Sequence, residues 1–404
     1  MFKEENDMIL LPDNIRRGLL PALIVVAANF AGASAFAQNC EIKIGAAGPY
    51  SGGAAAWGLA YKAGPELVAA LYNEKGGLPM GDKKCPVKIV SFDSQYTAAG
   101  GSAAGNFFAS EDVHAVVGPL GSPEHTGFKA VAMRNKIVNF TPTYAVDAIG
   151  PEFPFAFKAS QAPFAWSPVL IKAAKDRFNH KSIVLIGPND QGGTDGTRQL
   201  QKVYADQGFT TSEEYYQRGT TNFAPLATRI MSLNADAIEV STVPPVDQTI
   251  LFKQLIEAGW NGVIGSMGGG GEKPIIEGAD SAKHIKGAYW LEVMDTEQPG
   301  ATKLNEEWRR LMKSEPPVNS LFLVGTNSAE ILLKAISVAG TDKDGSKIRE
   351  ALLSTPPESQ FFGKEGWRGK TQFKSNQELA FPVGLGIYQD GKRVGVKGIP
   401  VPTE

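Results

Sequence analysis

Metal-binding side chains are scarce in this chain: 404 residues include only four histidines and two cysteines. The histidines stand at 114, 125, 180 and 284, none at the spacing of a ligating pair, so no metal site is expected. Neither sign of charge dominates. Forty basic residues against 42 acidic ones leave a net charge of −2, which removes the electrostatic case for nucleic acid. The chain has no G-x-x-x-x-G-K-[ST], no G-x-G-x-x-G, no H-E-x-x-H and no G-x-S-x-G, so the common nucleotide, dinucleotide, zinc-hydrolase and serine-hydrolase chemistries have no signature here. Ser122 and His125 lie three apart at the start of a helix and suit ligand binding better than nucleophilic attack. The glycines at 268–271 and 192–196 read as turns after strands, without the Lys or Ser/Thr offset of a phosphate loop. Neither an enzyme nor a bound cofactor is expected.

What is present is ordinary in amount and ordered in arrangement. The apolar fraction of 43% and charged fraction of 20% are those of a globular protein, and the length suits two domains. Residues 18–37 form a short apolar run after Arg16-Arg17, closing on Ala35-Phe36-Ala37, an A-x-A pattern. This predicts a signal peptide over 1–37, cleaved near Ala37, and a periplasmic product. A membrane anchor is the alternative, but Pro21 interrupts the run and its apolar core is short for a span. Glu4, Glu5, Asp7 and Asp13 are unusual before such a run, and Met8 is an alternative start.

Cys40 precedes an apolar strand at 41–46 and Cys85 precedes another at 87–92. If these are neighbours in a parallel sheet, their starts lie side by side. In an oxidising compartment a Cys40–Cys85 disulfide is then expected, worth roughly 4 kcal/mol by chain entropy. Two buried thiols are the alternative.

The pattern alternates: strand 41–46, helix 58–74, strand 87–92, helix 98–110, strand 115–117, a helix to 134 and strand 137–140. After 157 the rhythm restarts with helix 166–178, strand 182–186, helix 197–207, strand 209–216, helix 223–233, strand 237–241, helix 248–258 and strands 262–266 and 287–292. Helical stretches at 303–314 and 326–339 follow. Short apolar strands between helices predict an α/β fold with two doubly wound parallel sheets. Ligands of such sheets sit beyond the carboxyl ends of the strands. The residues there are Tyr50 with Trp57, Gly121-Ser122, Thr143-Tyr144-Ala145, Gln191-Gly192, Pro244 and Met267-Gly268. Aromatic, hydroxyl and glycine residues predominate, which suits a small, partly apolar ligand.

Glu41-Ile42-Lys43-Ile44-Gly45, Gly48-Pro49-Tyr50-Ser51-Gly52, Trp57-Gly58 and Asn73-Glu74-Lys75-Gly76-Gly77 resemble the opening of the branched-chain amino-acid-type (Leu/Ile/Val-binding-like) periplasmic substrate-binding proteins of ABC transporters. Val116-Val117-Gly118-Pro119, Phe140-Thr141-Pro142 and Phe155-Ala156-Phe157-Lys158 continue the resemblance. It implies a type I periplasmic-binding fold with three crossings, near 157–161, 292–298 and 372–379. Lobe 1 would be 41–157 plus 298–373 and lobe 2 would be 158–293 plus 376–402. It also implies a monomer that closes about its hinge and presents itself to an inner-membrane ABC permease.

By the same resemblance Ser122 holds a ligand carboxylate. The positions that hold the ammonium of amino acids carry Ala145 and Met267 here, and Gly192 and Pro244 replace tyrosines. Burying an ammonium without a counter-charge is costly. The expected ligand is therefore a small carboxylate without an amino group, an aromatic or keto acid, whose body meets Tyr50, Trp57, Tyr144, Met267 and Phe322. An aliphatic amino acid is the alternative ligand, and an amide-type ligand sensor the alternative role.

Overall fold

The computed structural model describes residues 40–402, and the expected signal segment and cleavage point lie outside them. Two seven-stranded sheets form the frame. The first runs, in spatial order, Gly366–Arg368, Glu378–Ala380, Ala156–Lys158, Val138–Thr141, Ala115–Val117, Ile42–Gly48 and Val87–Asp93. All neighbours are parallel except the pair of Gly366–Arg368 with Glu378–Ala380. The second runs Lys392–Ile399, Val383–Gln389, Gly287–Glu292, Val263–Ser266, Ala237–Val240, Ser182–Pro188 and Thr210–Tyr216. Here the five strands before residue 300 are parallel and the last two antiparallel. Each sheet therefore repeats one doubly wound order, with its second strand outside its first.

Both faces of each sheet are covered, so successive residues of a strand enter different cores. Ile183 and Leu185 pack with Leu170, Leu200 and Tyr204, whereas Val184 and Ile186 pack with Phe223, Ile230 and Phe252. In the first lobe, Val117 joins Tyr61 and Leu67 while Val116 joins Phe108 and Phe128. Strands buried on both sides need apolar residues throughout, which is why they were legible as short apolar runs.

The helices Ala55–Glu74 and Leu321–Ala339 cross backbone to backbone. A Cβ on Gly64 would stand 2.1 Å from Thr326 N, and one on Gly325 would stand 2.1 Å from Tyr61 O. Leu321–Ala339 is the one described helix long and apolar enough to span a membrane, and it lies mostly inside the protein.

Cys40 and Cys85 are disulfide-bonded, with Cα atoms 5.2 Å apart, because Ile42 and Val87 are register partners in adjacent parallel strands. The chain passes between sheets at 159–162, 293–298 and 381–382. The last passage departs from the sequence expectation: Glu378–Ala380 pairs with the first sheet, through Glu378 opposite Lys158, so residues 376–380 belong with lobe 1. Six helices also begin earlier than expected, at Ala55, Pro163, Gln191, Pro245, Pro299 and Leu321, and the short hairpin of Leu78–Met80 with Lys83–Cys85 has no counterpart in the sequence pattern.

Candidate functional site

In both sheets the strand order reverses beside the first strand, and connections leave the carboxyl ends in opposite directions there. That divergence opens a crevice in each lobe. The two crevices face one another across a small cavity of about 50 Å3. The first lobe contributes Trp57, Tyr96, Leu120, Gly121, Ser122, Pro142, Thr143, Tyr144 and Leu321. Thr242, Gly268 and Gly269 come from the second, with Ser160 and Val293 from the connecting segments.

Ser122 opens the helix Ser122–Arg134, whose N-terminus has no side-chain cap. The first turn of a helix has amides without intrahelical partners and the positive end of the helix dipole, a ready seat for an anion. Gly121 delivers the chain to that position at φ +106°, and a Cβ there would stand 2.4 Å from the Tyr96 ring. A side chain at 121 is thus excluded twice over. The Thr143 hydroxyl donates to Ser122 Oγ at 2.9 Å, and Lys158 Nζ donates to the Thr143 carbonyl from beneath.

Among the described residues, none that lines the cavity carries a formal charge. Acids close by are already engaged. Asp190 caps the helix Gln191–Asp206 through Gly193 N at 3.0 Å and pairs with Arg218 Nε at 2.6 Å. Asp247 accepts from Tyr216 OH at 2.8 Å. Glu124, in the first turn below Ser122, accepts from Ser94 Oγ at 2.6 Å and from Tyr96 N at 2.7 Å. Burial pushes its carboxyl up to about 8, against the pull of those two donors, so it is mostly neutral near pH 7. Burial likewise pushes the hydroxyls of Tyr96 and Tyr144 upward, so both stay neutral donors. Among the described residues no group of three or more His, Cys, Asp or Glu side chains is placed to hold a metal ion.

The lobes touch across the crevice. Trp57 Nε1 donates to Gly269 O at 3.0 Å, Tyr144 OH to Met267 O at 3.3 Å, and Gln199 Nε2 to Tyr144 O at 2.9 Å. Arg218 lies over the Tyr96 ring, 4.5 Å from its centre.

Trp57, Gly121, Ser122, Thr143, Tyr144 and Gly268 thus meet around one cavity, whereas the other candidates from the sequence lie off its lining. Tyr50 is held away, its N–H on Asp93 Oδ1 at 2.8 Å and its ring under Lys62 Nζ. Ala145 turns inward, 1% exposed, its N–H on Thr143 Oγ1 at 3.2 Å. Gln191 sits outside the cavity, accepting from Thr126 Oγ1 at 2.7 Å. Gly192 backs onto Ser122, where a Cβ would stand 3.3 Å from Oγ. Pro244 starts the helix Pro245–Glu257 as its cap. Met267 presents its carbonyl while its side chain is buried in the core. Phe322 packs edge-on to Trp308, ring centres 5.1 Å apart. Tyr96 and Thr242 were missed although both sit just past strand ends, and Leu321 was missed because its helix begins five residues before the expected start.

The sequence model of the family described as "Periplasmic binding protein" matches residues 41–381. The leucine-, isoleucine-, valine-, threonine- and alanine-binding protein of Pseudomonas aeruginosa is 22% identical over 331 residues, 80% of this chain and 86% of that one. Among solved structures, the substrate-binding protein LivJ of Streptococcus pneumoniae, in complex with isoleucine, superposes with a TM-score of 0.75 at 19% identity, covering 89% of this chain and 99% of that one. A solute-binding protein of an ABC transporter from R. palustris, in complex with 4-hydroxybenzoate, superposes with a TM-score of 0.73 at 20% identity, covering 90% and 97%.

Proposed function

Because the chain belongs to the periplasmic binding protein family, we propose that it is the periplasmic substrate-binding component of an ABC importer of the branched-chain amino-acid type. Its ligand is a small carboxylate with an aromatic or other apolar body and no amino group, such as an aromatic or keto acid. The ligand carboxylate meets Ser122 Oγ and the first-turn amides of Ser122–Arg134, and Trp57, Tyr96, Tyr144 and Leu321 enclose the body. Closure brings the lobes together by rotation at the three crossings, and the closed surface is what an inner-membrane permease receives.

The observation that supports this ligand class is that no acid is found among the described residues lining the cavity. An α-ammonium enclosed there would lie in a low-dielectric space without a counter-charge, which costs several kcal/mol by order of magnitude. An uncapped helix start at Ser122 offers a seat for a carboxylate, and the described lining offers no acid to an ammonium. Aliphatic amino acids are the competing ligands, as the name of the Pseudomonas aeruginosa relative indicates.

A thermal-shift panel on purified protein, unfolded and refolded to strip retained ligand, separates the two. A ligand at 100 times its Kd stabilises by about 2.7 kcal/mol. Benzoate-like, cinnamate-like and aromatic keto acids should raise the melting temperature, and leucine, isoleucine and valine should leave it unchanged. A response to the aliphatic amino acids alone would retire the ligand assignment and leave the family untouched.

A further inference from the structure

Neutral hydrogen bonds make most of the contact between the lobes. Trp57 donates to Gly269 O, Tyr144 to Met267 O and Gln199 to Tyr144 O, and Thr126 Oγ1 donates to Gln191 Oε1 at 2.7 Å. Each such bond is exchanged for one to water when the lobes part, so its net worth is modest. Arg218 differs in kind: it brings a cation of the second lobe onto the face of Tyr96, an aromatic ring of the first. Tyr96 lines the ligand cavity and Arg218 does not.

Each half of this contact is held within its own lobe. Arg218 follows the strand Thr210–Tyr216 and donates through Nε to Asp190 Oδ2 at 2.6 Å and through Nη1 to Thr242 O at 3.1 Å. Both acceptors belong to the second lobe, so the guanidinium plane is set before the lobes meet. Its side chain is 17% exposed, and Nη2 is buried with no hydrogen-bond partner among the described residues, so the ring face compensates part of the cation's burial. In the first lobe Tyr96 N–H is held by Glu124 Oε1 at 2.7 Å with φ at +57°, and Gly121 leaves the space that the ring occupies. The other neighbour of that ring is Trp57, ring centres 6.0 Å apart, which itself reaches Gly269 of the second lobe. A contact between two parts already fixed costs little in ordering, and a desolvated cation over a ring gains the most of its class.

We propose that Arg218 is a positioning residue for ligand capture: seated on Tyr96 it clasps the two lobes, holds Tyr96 against the cavity and slows the opening that releases the ligand. The clasp exists only in the closed arrangement, so it favours that arrangement by its own worth. None of its partners is the cavity's occupant, so it acts whether the cavity is filled or empty. It rests on the reading of the chain as a binding protein that closes about its ligand, and not on which ligand the cavity takes.

The test is a double-mutant cycle of Arg218→Ala and Tyr96→Leu, read by stopped-flow binding of benzoate and of leucine and by small-angle scattering of the refolded, ligand-free protein. For whichever of the two ligands binds, Arg218→Ala should raise the off-rate about tenfold, the size expected of a desolvated cation over a ring, and leave the on-rate within about twofold. Tyr96→Leu also removes a cavity wall, so the cycle isolates the clasp: in that background Arg218→Ala should change the off-rate less than about twofold. Arg218→Lys keeps a cation for Asp190 without the flat face and should show most of the loss. Arg229→Ala, which removes a cation paired with Glu214 inside the second lobe, should behave as the parent. Without ligand, Arg218→Ala and Tyr96→Leu should each have a larger radius of gyration than the parent, and the double variant no larger than the greater of the two. Additive effects in the cycle, a loss carried by the on-rate, or ligand-free radii equal to the parent's would overturn the clasp. Should Arg218→Ala fail to fold, Arg218→Lys takes its place in the cycle. If neither benzoate nor leucine binds, the ligand assignment falls and the scattering comparison decides the clasp by itself.

Discussion

Ser122 combines two anion-binding features, a hydroxyl already oriented by Thr143 Oγ1 and a place at an uncapped helix N-terminus. Removing the hydroxyl takes away one charged hydrogen bond, about 1.5–3 kcal/mol. Ser122→Ala should therefore weaken carboxylate binding by tenfold or more, and should change the binding of the corresponding neutral amide far less. Equal losses for acid and amide would show that the ligand's charged end lies elsewhere. Glu124 adds a pH dependence with a definite sign. Near pH 7 its carboxyl, raised to about 8 by burial, is mostly protonated and leaves the helix terminus without a competing negative charge. Raising the pH ionises it beside the ligand's carboxylate. Lys158, fully buried beneath Thr143 and lowered by burial to about 8, loses its positive charge over the same interval. Both changes weaken binding, so affinity should fall from about pH 7 to about pH 9. In Glu124→Gln the fall should be shallower, with only the Lys158 part remaining. A profile as steep as the parent's would remove Glu124 from the site's electrostatics.

The helix Ala55–Glu74 carries Trp57 in its first turn, and its position is set by the close crossing with Leu321–Ala339 at Gly64 and Gly325. A side chain at 64 must displace backbone, which does not yield as a flexible side chain would. Gly64→Leu should destabilise the protein by about 1–3 kcal/mol or more, and should weaken ligand binding by moving Trp57. A melting temperature and Kd equal to the parent's would mean the crossing is looser than its geometry. Elements of this kind also divide what the sequence made legible from what it did not. Strands covered on both faces announce themselves as apolar runs, and positions lining the cavity lie just past strand ends, so Gly121, Ser122, Thr143, Tyr144 and Gly268 could be placed there without coordinates. Helix starts could not. The helix Leu321–Ala339 begins on Leu321 with no side-chain cap to mark it, and one residue turns a helix by about 100°. Leu321 therefore faces the cavity while Phe322, the sequence candidate, faces Trp308. Val293 escaped for another reason: it lies on a crossing, where no strand or helix period applies.

Over the whole molecule, burial has left an unusual set of acids inside. Glu124 and Glu365 are raised to about 8, and Glu239, Glu292 and Glu330 to about 7, burial being the largest cause in each. In the unfolded chain all five ionise near pH 4–5. Between that range and their folded values the native state holds more protons than the unfolded one, so stability falls as pH rises. Two buried histidines oppose this at lower pH. His125 and His180 are lowered by burial to about 4, so the native state holds fewer protons than the unfolded one up to about pH 6.5, and stability rises with pH there. Above that pH the histidines are neutral in both states, and Lys158, lowered to about 8, opposes the five acids only toward the top of the interval. The melting temperature of the ligand-free protein should therefore decline from about pH 6.5 to about pH 8. Glu239 offers a separate handle, because it lies in the second lobe with Tyr289 OH donating to its Oε2 at 2.9 Å and Tyr204 OH donating to the same oxygen. Glu239→Gln keeps an acceptor for both hydroxyls and removes the ionisation, so its melting temperature should decline less steeply over the same interval. A parent curve that is flat or rising from about pH 6.5 to about pH 8 would mean that these carboxyls reach water or a counter-charge in the folded protein. Glu124 could not then be the neutral residue on which the pH dependence of ligand binding depends.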